Sequence, residues 1–453
     1  MKVVFVHPSY PNQFTRVAHT LSQRAGWDCA CLVDERFADA VRRDDPPIAY
    51  YGFREEPAPA SGNYYTQCVE DGIRCGKAVV EALTHLHAAG EVDVVVGHAS
   101  FGTTFFVRRL LRIPVLAYVE LPGYLPVYCR DEFPAQFPQD LMDVSLRALI
   151  HASVLQSDLC LVPSQHAKDL FPTELRHKIR VQPEGFDLPT LVRDTAALRR
   201  DLGLSGSGPV VGFAGRTLEA VRGFDVFVRM AKAIRLARPD VQFLALGDEA
   251  TLYGNETTYL GDKSFKQHVL ETERVDERAI TFKPFAPHGE FTRYLQAMDL
   301  IVFPIFEGAG NWAVFDAMAA AVPVLASNRC FIPEVITHGH DGLLFDPDDV
   351  DGLAHAALTA LDNPGRLRAL GRQARRTIAE RFSLRRAADG YAALIQEAVR
   401  AGFDPRSRVR IEPEAGARTL GSPFTRPRHR RSRPGGAAKP ANRDHRSGGW
   451  RRS

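Results

Sequence analysis

Short apolar runs alternate with helical patterns along the first 190 residues of the chain. Val3–Val6 is an apolar run rich in β-branched residues; Val92–Val96, with four Val in five residues, and Val115–Val119 are two further predicted strands. Between such runs, apolar residues recur at helical spacing, as in Tyr64–Ala88, and we also predict a helix over Phe101–Leu111. Continuous apolar strands that alternate with helices are typical of a parallel sheet covered on both faces.

A second alternating unit begins near Pro209. Its clearest strands are Val210–Ala214 and Leu300–Pro304, and its clearest helices are Phe224–Ala237 and Trp312–Ala321. The polar stretch 188–208 between the units reads as a linker. The pattern therefore predicts two Rossmann-like α/β domains in series, an N-terminal one over residues 1–190 and a C-terminal one over residues 191–383.

The end of the chain differs from the rest. A helical pattern begins at Leu384, and we predict that residues 384–403 form a helix that crosses back to the first domain. Residues 404–453 contain fourteen Lys and Arg residues against four Asp and Glu residues, with almost no apolar side chains. Such a segment buries too little apolar surface to offset the entropy cost of ordering, so we predict a disordered basic tail.

The composition sets limits on the class of protein. Hydrophobic residues make up 45% and charged residues 25% of 453 residues, which is ordinary for a globular protein. No apolar run is long enough to span a membrane, and Val3–Val6 is too short for a signal peptide, so we expect a cytoplasmic protein. The seven cysteines do not have zinc-site spacing. A basic tail is attracted to anionic lipid, so peripheral contact with the inner face of the membrane is a further hypothesis.

Ligands of doubly wound sheets bind beyond the carboxyl ends of the strands. Arg216 and Arg222 follow the predicted strand Val210–Ala214, and a helix begins just after them. Guanidinium groups match phosphate oxygens in a bidentate way, so the pair suits a diphosphate. The competing interpretation of two solvated surface arginines stands on equal footing at this point.

An acidic, glycine-containing loop follows the strand Leu300–Pro304. It reads Glu307-Gly308-Ala309-Gly310-Asn311, and a helix that carries Asp316 begins behind it. Glycines let the backbone approach a ligand closely, and helix N-termini offer free N–H groups. In the first domain, His98 and Glu120 follow two strands and are expected to face the same cleft, although a lone His or Glu is more often structural.

These segments resemble the donor-binding signature of the family-four glycosyltransferases, which have the GT-B fold. Residues 307–318 resemble the family pattern of an acid, glycines and a second acid before Ala-Met. Residues 215–223 resemble its Gly-Arg…Lys-Gly clamp, and residues 182–187 its domain-junction turn. The N-terminal residues 5–14, FVHPSYPNQF, resemble the opening of one subgroup. The resemblance covers roughly residues 1–400.

The resemblance implies a retaining, metal-independent transfer of sugar from a nucleotide-diphosphate donor. Arg216 and Arg222 would hold the diphosphate, and the N–H groups of Gly308, Ala309, Gly310 and Asn311 would hold phosphate and sugar. Glu307 would bind sugar hydroxyls, Asp316 the ribose, and the backbone at Phe285 the base. His98 and Glu120 would lie on the acceptor side. The implied acceptor is a saccharide, a lipid-linked compound or a small molecule, and no cofactor beyond the nucleotide sugar is implied.

The chain also departs from the family pattern. The two acids are one residue further apart than usual, the second acid is Asp, and Arg222 replaces Lys. Ala321 stands where Gly is common, and Glu120 stands where many relatives have His. A nucleotide-sugar epimerase and a catalytically inactive relative are therefore alternatives. A nucleic-acid-binding protein is a third, but only Phe424 and Trp450 in the tail are available for stacking on bases, so we predict no specific nucleic-acid partner.

Overall fold

The computed structural model describes residues 1–58, 63–90, 92–124, 127–204 and 207–400 of the chain. They form two parallel β-sheets, one of seven strands and one of six. The strands of the first sheet are β1 (Lys2–Val6), β2 (Asp28–Asp34), β3 (Ala49–Phe53), β4 (Val94–His98), β5 (Val115–Tyr118), β6 (Leu159–Val162) and β7 (Ile179–Val181). Those of the second are β8 (Val210–Thr217), β9 (Gln242–Asp248), β10 (Thr281–Lys283), β11 (Leu300–Phe303), β12 (Val324–Ser327) and β13 (Leu343–Phe345).

Helices cover these sheets. Those of the first domain are α1 (Thr15–Ser22), α2 (Ala38–Asp44), α3 (Gln67–Gly90), α4 (Val107–Leu110), α5 (Phe137–Gln156) and α6 (Gln165–Asp169). Those of the second are α7 (Thr195–Asp201), α8 (Phe224–Ala237), α9 (Glu256–Leu260), α10 (Phe265–Glu273), α11 (His288–Leu295), α12 (Trp312–Ala319), α13 (Ile332–Val335), α14 (Val350–Leu361) and α15 (Pro364–Arg381). Across the described residues, no helix has the length and apolar character needed to cross a bilayer.

Both sheets reverse their strand order at one point. The first sheet runs β3-β2-β1-β4-β5-β6-β7 and the second runs β10-β9-β8-β11-β12-β13. The reversal falls between β1 and β4 in the first sheet and between β8 and β11 in the second. A doubly wound sheet binds its ligand in the crevice outside the carboxyl ends of the strands at such a point. The topology therefore directs attention to the loops after β1, β4, β8 and β11.

The last helix of the described chain, α16 (Leu384–Arg400), packs on the first sheet. Ala388, Tyr391 and Ile395 on this helix are fully buried in the same apolar cluster as Phe14 and Val17 of the first domain. The helix follows directly on the second domain, so the chain passes between the domains twice. Residues 401–403 of the predicted crossing helix and the predicted basic tail at 404–453 lie outside the described residues.

The alternation of strands and helices confirms the predicted fold class, but one predicted helix is wrong. Within Phe101–Leu111, only the four residues of α4 are α-helical, and a short 3₁₀ turn precedes them. Gly102 interrupts the helix because its φ is +74°, and a Cβ there would lie 2.0 Å from the Gly72 carbonyl oxygen. The segment 188–208, expected to be a linker, contains the helix α7.

Candidate active site

The loop between β11 and α12 carries the acidic motif of the second domain. Asn311 is buried and is the N-cap of α12, since its side-chain oxygen accepts a hydrogen bond from the backbone N–H of Ala313 at 3.0 Å. The cap fixes the start of the helix directly after Gly308, Ala309 and Gly310. The first turn of a helix leaves N–H groups without intrahelical partners, so this loop ends in a region suited to an anion.

Glu307 is held by a residue of the other domain. Its Oε1 lies 2.6 Å from Nε2 of His166, a residue in the first turn of α6 in the first domain. The same oxygen accepts a hydrogen bond from the Gly308 backbone N–H at 2.7 Å. The hydrogen bond to Glu307 raises the pKa of His166 above its usual value. His166 is not among the residues predicted from the sequence, although its position four residues after a strand end is a signal that could have identified it.

Two further contacts join the same segment of the first domain to the second domain, one at this loop and one at α13. The Ser164 hydroxyl donates to the Ala309 carbonyl oxygen at 2.6 Å. The Glu334 carboxylate accepts the backbone N–H groups of Gln165 and His166 at 2.7 and 2.6 Å, respectively. The loop that carries Glu307 is therefore enclosed by both domains.

Arg222 is a partly buried cation that points to an anionic ligand. Its Nε and Nη1 atoms are buried and have no hydrogen-bond partner among the described residues, and its guanidinium lies 5.0 Å from the Tyr253 ring centroid. Its charge acts on two carboxylates, Glu120 and Glu219, and lowers the pKa of each against the effect of burial. Buried polar groups usually have partners, so the free atoms mark a place where a ligand oxygen would bind.

The other residues of this strand-to-helix turn shape the same place. Arg216 is exposed near the carboxyl end of β8. Gly223 precedes α8 with a φ of +72°, and a Cβ there would lie 2.0 Å from the Pro304 carbonyl oxygen. Only glycine fits this turn, which brings Arg222 and the β11 loop together.

On the acceptor side, Glu120 lies just beyond the end of β5. Its Oε1 accepts a hydrogen bond from Gln13 Nε2 at 3.0 Å, and Gln13 belongs to the loop after β1. Burial raises the pKa of Glu120, while Gln13 and Arg222 oppose that rise. The structure thus brings Glu120 within electrostatic reach of the predicted diphosphate residue Arg222.

His98, which is predicted to lie on the acceptor side of the cleft, is almost fully buried. It is the last residue of β4, only 1% exposed, and its ring packs against His7 at 5.2 Å and Tyr118 at 5.1 Å between centroids. Burial lowers the pKa of His98 far below its usual value, and that of His7 to about 3. Both rings are therefore uncharged near neutral pH.

The residues predicted to bind the nucleoside lie on the second domain. Asp316 is buried in α12, and its Oδ1 lies 3.1 Å from Nε2 of the half-exposed His288. Phe285 is 47% exposed, and its backbone N–H donates to Asp248 Oδ1 at 3.0 Å. His288 is not among the residues predicted from the sequence, because its pairing with Asp316 follows from the position of α11 beside α12.

Two Rossmann-like domains thus both contribute residues to this candidate site. Residues 25–191 match the family model described as glycosyl transferase family 4 group, and residues 208–363 match that described as glycosyl transferases group 1. Together the two matches cover more than half of the chain. The protein therefore belongs to the group 1, family 4 glycosyltransferases, as its motifs predict.

Curated relatives give the same family. The chain is 29% identical to D-inositol 3-phosphate glycosyltransferase from Segniliparus rotundus, over 50% of this chain and 48% of that protein. It is 27% identical to glycogen synthase from Mycobacterium tuberculosis, over 45% of this chain and 46% of that protein. The chain spans about half the length of the curated relatives that it matches.

Solved structures share the fold. Sucrose-phosphate synthase from Thermosynechococcus elongatus superimposes with a TM-score of 0.66 at 18% identity, over 89% of this chain and all of the other. Anabaena Alr3699/HepE in complex with UDP-glucose gives a TM-score of 0.64 at 18% identity, over 88% of this chain and all of the other. The two-domain GT-B architecture is thereby confirmed.

Proposed function

We propose that this protein transfers a sugar from a nucleotide-diphosphate donor to an acceptor hydroxyl, with retention of anomeric configuration. The observation that carries this proposal is the Arg222 guanidinium, two of whose nitrogen atoms are buried and have no hydrogen-bond partner within the described part of the chain. Arg222 lies at the switch point of the second sheet, where the oxygens of a diphosphate would accept hydrogen bonds from these two nitrogen atoms. Family membership supports the reaction class.

In this proposal the second domain binds the donor. Arg222 and the exposed Arg216 hold the diphosphate and neutralise the charge that develops on it as the glycosidic bond breaks. The N–H groups of residues 308–311 hold phosphate and sugar. Glu307 binds sugar hydroxyls, with its carboxylate oriented by His166 at 2.6 Å. Asp316 binds the ribose through its second oxygen, and the backbone around Phe285 approaches the base.

The acceptor enters from the first domain over Glu120 and the neutral His98. The leaving diphosphate takes the acceptor proton on the face that the acceptor attacks, so the transfer requires no separate general base. Glu120 as a covalent nucleophile is the second candidate mechanism. The arginines supply the positive charge, so we propose that the reaction needs neither a metal ion nor a further cofactor.

The first test is a thermal-shift screen, without added metal, against UDP, GDP, ADP, dTDP and their sugars. UDP is the first probe because solved neighbours were crystallised with UDP or UDP-glucose. A ligand at one hundred times its Kd stabilises the folded state by about 2.7 kcal/mol, which raises the melting temperature. We expect one base to give a shift that Arg222→Ala abolishes. The matched control is Arg278→Ala, since Arg278 is exposed and pairs with Asp276 at the surface.

The products separate the transferase from its alternatives. Release of free nucleotide that depends on an acceptor supports transfer, whereas an altered sugar still joined to its nucleotide supports an epimerase. Donor binding without turnover, across neutral saccharides and lipid-linked acceptors, supports an inactive relative. Proton NMR of the fresh product gives its anomeric configuration, and an inverted product would refute the retaining mechanism.

A cytoplasmic location with peripheral membrane contact through residues 404–453 is a separate proposal. Its basis is the excess of Arg and Lys in that segment. We expect the full chain to sediment with anionic lipid vesicles and to lose this binding when residues 404–453 are deleted. Equal sedimentation of the two proteins would contradict it.

A further inference from the structure

Glu184 lies where the two passages of the chain between the domains run side by side. It follows β7, and its neighbour Phe186 exchanges backbone hydrogen bonds with the second passage, to Phe382 at 2.8 Å and from Leu384 at 3.1 Å. Gly185 between them has a φ of +87°, and a Cβ there would lie 2.5 Å from Ala387 Cβ. The backbone at Glu184 is thus closely confined.

The Glu184 carboxylate bonds to both domains at once. Its Oε1 accepts a hydrogen bond from the Tyr118 hydroxyl of the first domain, and its Oε2 accepts one from Trp312 Nε1 of the second. Tyr118 ends β5, two residues before Glu120, and Trp312 begins α12 directly after Asn311. One carboxylate, only 8% exposed, therefore joins the acceptor-side strand end to the donor-side loop.

Charged and titratable groups from several packed elements lie near this carboxylate. Arg16 on α1 lies 4.9 Å from the Trp312 ring centroid and 3.7 Å from the Asp187 carboxylate. Tyr391 on α16 and Glu120 beyond β5 also interact electrostatically with Glu184. Burial is the main cause that raises the pKa of Glu184 to about 7; Glu120 adds to the rise, while the bonds from Tyr118 and Trp312 and the charge of Arg16 oppose it.

We propose that Glu184 is a positioning residue, whose ionised carboxylate holds the donor loop 307–312 in register with the acceptor-side end of β5. The assignment of these two places as donor side and acceptor side rests on the proposed function, whereas the link between them through Glu184 does not. Hydrogen bonds to an ionised acceptor are roughly twice as strong as neutral ones. Protonation of Glu184 therefore loosens the link between Tyr118 and Trp312 without removing it.

Fluorescence of Trp312 tests the coupling without any substrate. Trp27→Phe and Trp450→Phe together leave Trp312 as the single tryptophan of the full chain. We expect its emission to titrate with a midpoint near pH 7 and to lose that transition in Glu184→Gln. Glutamine still accepts a bond from the indole and donates one to the Tyr118 oxygen, so it keeps the geometry and removes the titration. A midpoint that persists in Glu184→Gln, or is absent from the parent, overturns the proposal.

Binding of UDP, measured by calorimetry at pH 6 and pH 8, tests the consequence for the site. We expect the ratio of the two Kd values in the parent to exceed that in Glu184→Gln by about tenfold, because only the parent loses a charge-assisted link at pH 6. Equal ratios refute the coupling to the donor site. If the parent binds none of the nucleotides, the proposed function fails, whereas the Trp312 titration still decides whether Glu184 links the domains.

Discussion

Replacement of Glu184 by Gln should change how the stability of the protein depends on pH. Burial raises the pKa of Glu184 from 4.5 to about 7, so the folded state binds this proton more tightly than the unfolded state does. The stabilisation by the bound proton is fully present below pH 4.5 and is lost as the pH rises through 7. At about 1.36 kcal/mol per pKa unit, the loss between these limits is about 3 kcal/mol.

Glutamine does not titrate, so Glu184→Gln lacks this loss. We therefore expect the free energy of unfolding of the variant, relative to the parent, to increase by about 3 kcal/mol between pH 4.5 and pH 8.5. The assay is guanidinium denaturation at each pH of both proteins in the Trp27→Phe, Trp450→Phe background, followed by the emission of Trp312. Subtracting parent from variant at each pH cancels the other titrating groups.

The matched control is Glu397→Gln, since Glu397 is half-exposed and pairs with the partly exposed Arg180. Its difference from the parent should change little with pH, because surface ion pairs contribute about 0–1 kcal/mol. A constant difference for Glu184→Gln across the pH range would refute the view that this carboxylate is held in a buried site. If the free energy of unfolding of Glu184→Gln relative to the parent fell as the pH rises, the predicted direction of the pKa shift of Glu184 would be wrong.

Three further predictions concern single residues. Arg222→Met should weaken UDP binding at least tenfold, roughly 1.4 kcal/mol, without lowering the melting temperature of the free protein, and calorimetry with Arg278→Met as control checks both statements. Because Glu307 raises the pKa of His166, stability from this pair is present below pH 6.5 and is lost as the pH rises through the raised pKa. The parent should thus lose stability relative to His166→Phe between pH 6 and pH 9, and parallel denaturation curves would contradict this. Ala321 has a φ of +61°, where alanine is strained, so Ala321→Gly should raise the free energy of unfolding by about 0.5–1 kcal/mol, and a loss would show that the turn is not strained.

The departures from the family pattern have a structural context. Ala321 occupies a left-handed turn, which explains why glycine is common at that position in the family. Asp316, despite the longer spacing between the acids, is buried in α12 and paired with His288. The shorter side chain thus has a partner on α11 that a motif read along the chain does not reveal.

Much of the candidate site could be predicted because strand ends are local features. Apolar runs mark the strands, and a parallel sheet gathers their carboxyl ends at one edge, so the positions and residue types of Arg222, Glu307 and Glu120 predict that they lie at the same cleft. The depth of His98 could not be predicted in this way. A residue at the end of a strand faces either the crevice or the core, and only the packing of His7 and Tyr118 around the ring decides between them.

The sequence by itself determined the fold class and the donor-side segments, because the period of apolar residues and the glycines of the turns act over a few residues. Only the tertiary structure decided which groups meet across the cleft. His166 reaches Glu307 and Glu184 reaches Trp312 over more than one hundred residues of chain. Such pairs depend on how two separately folded sheets are set against each other, and this arrangement follows from interdomain packing that no local pattern encodes.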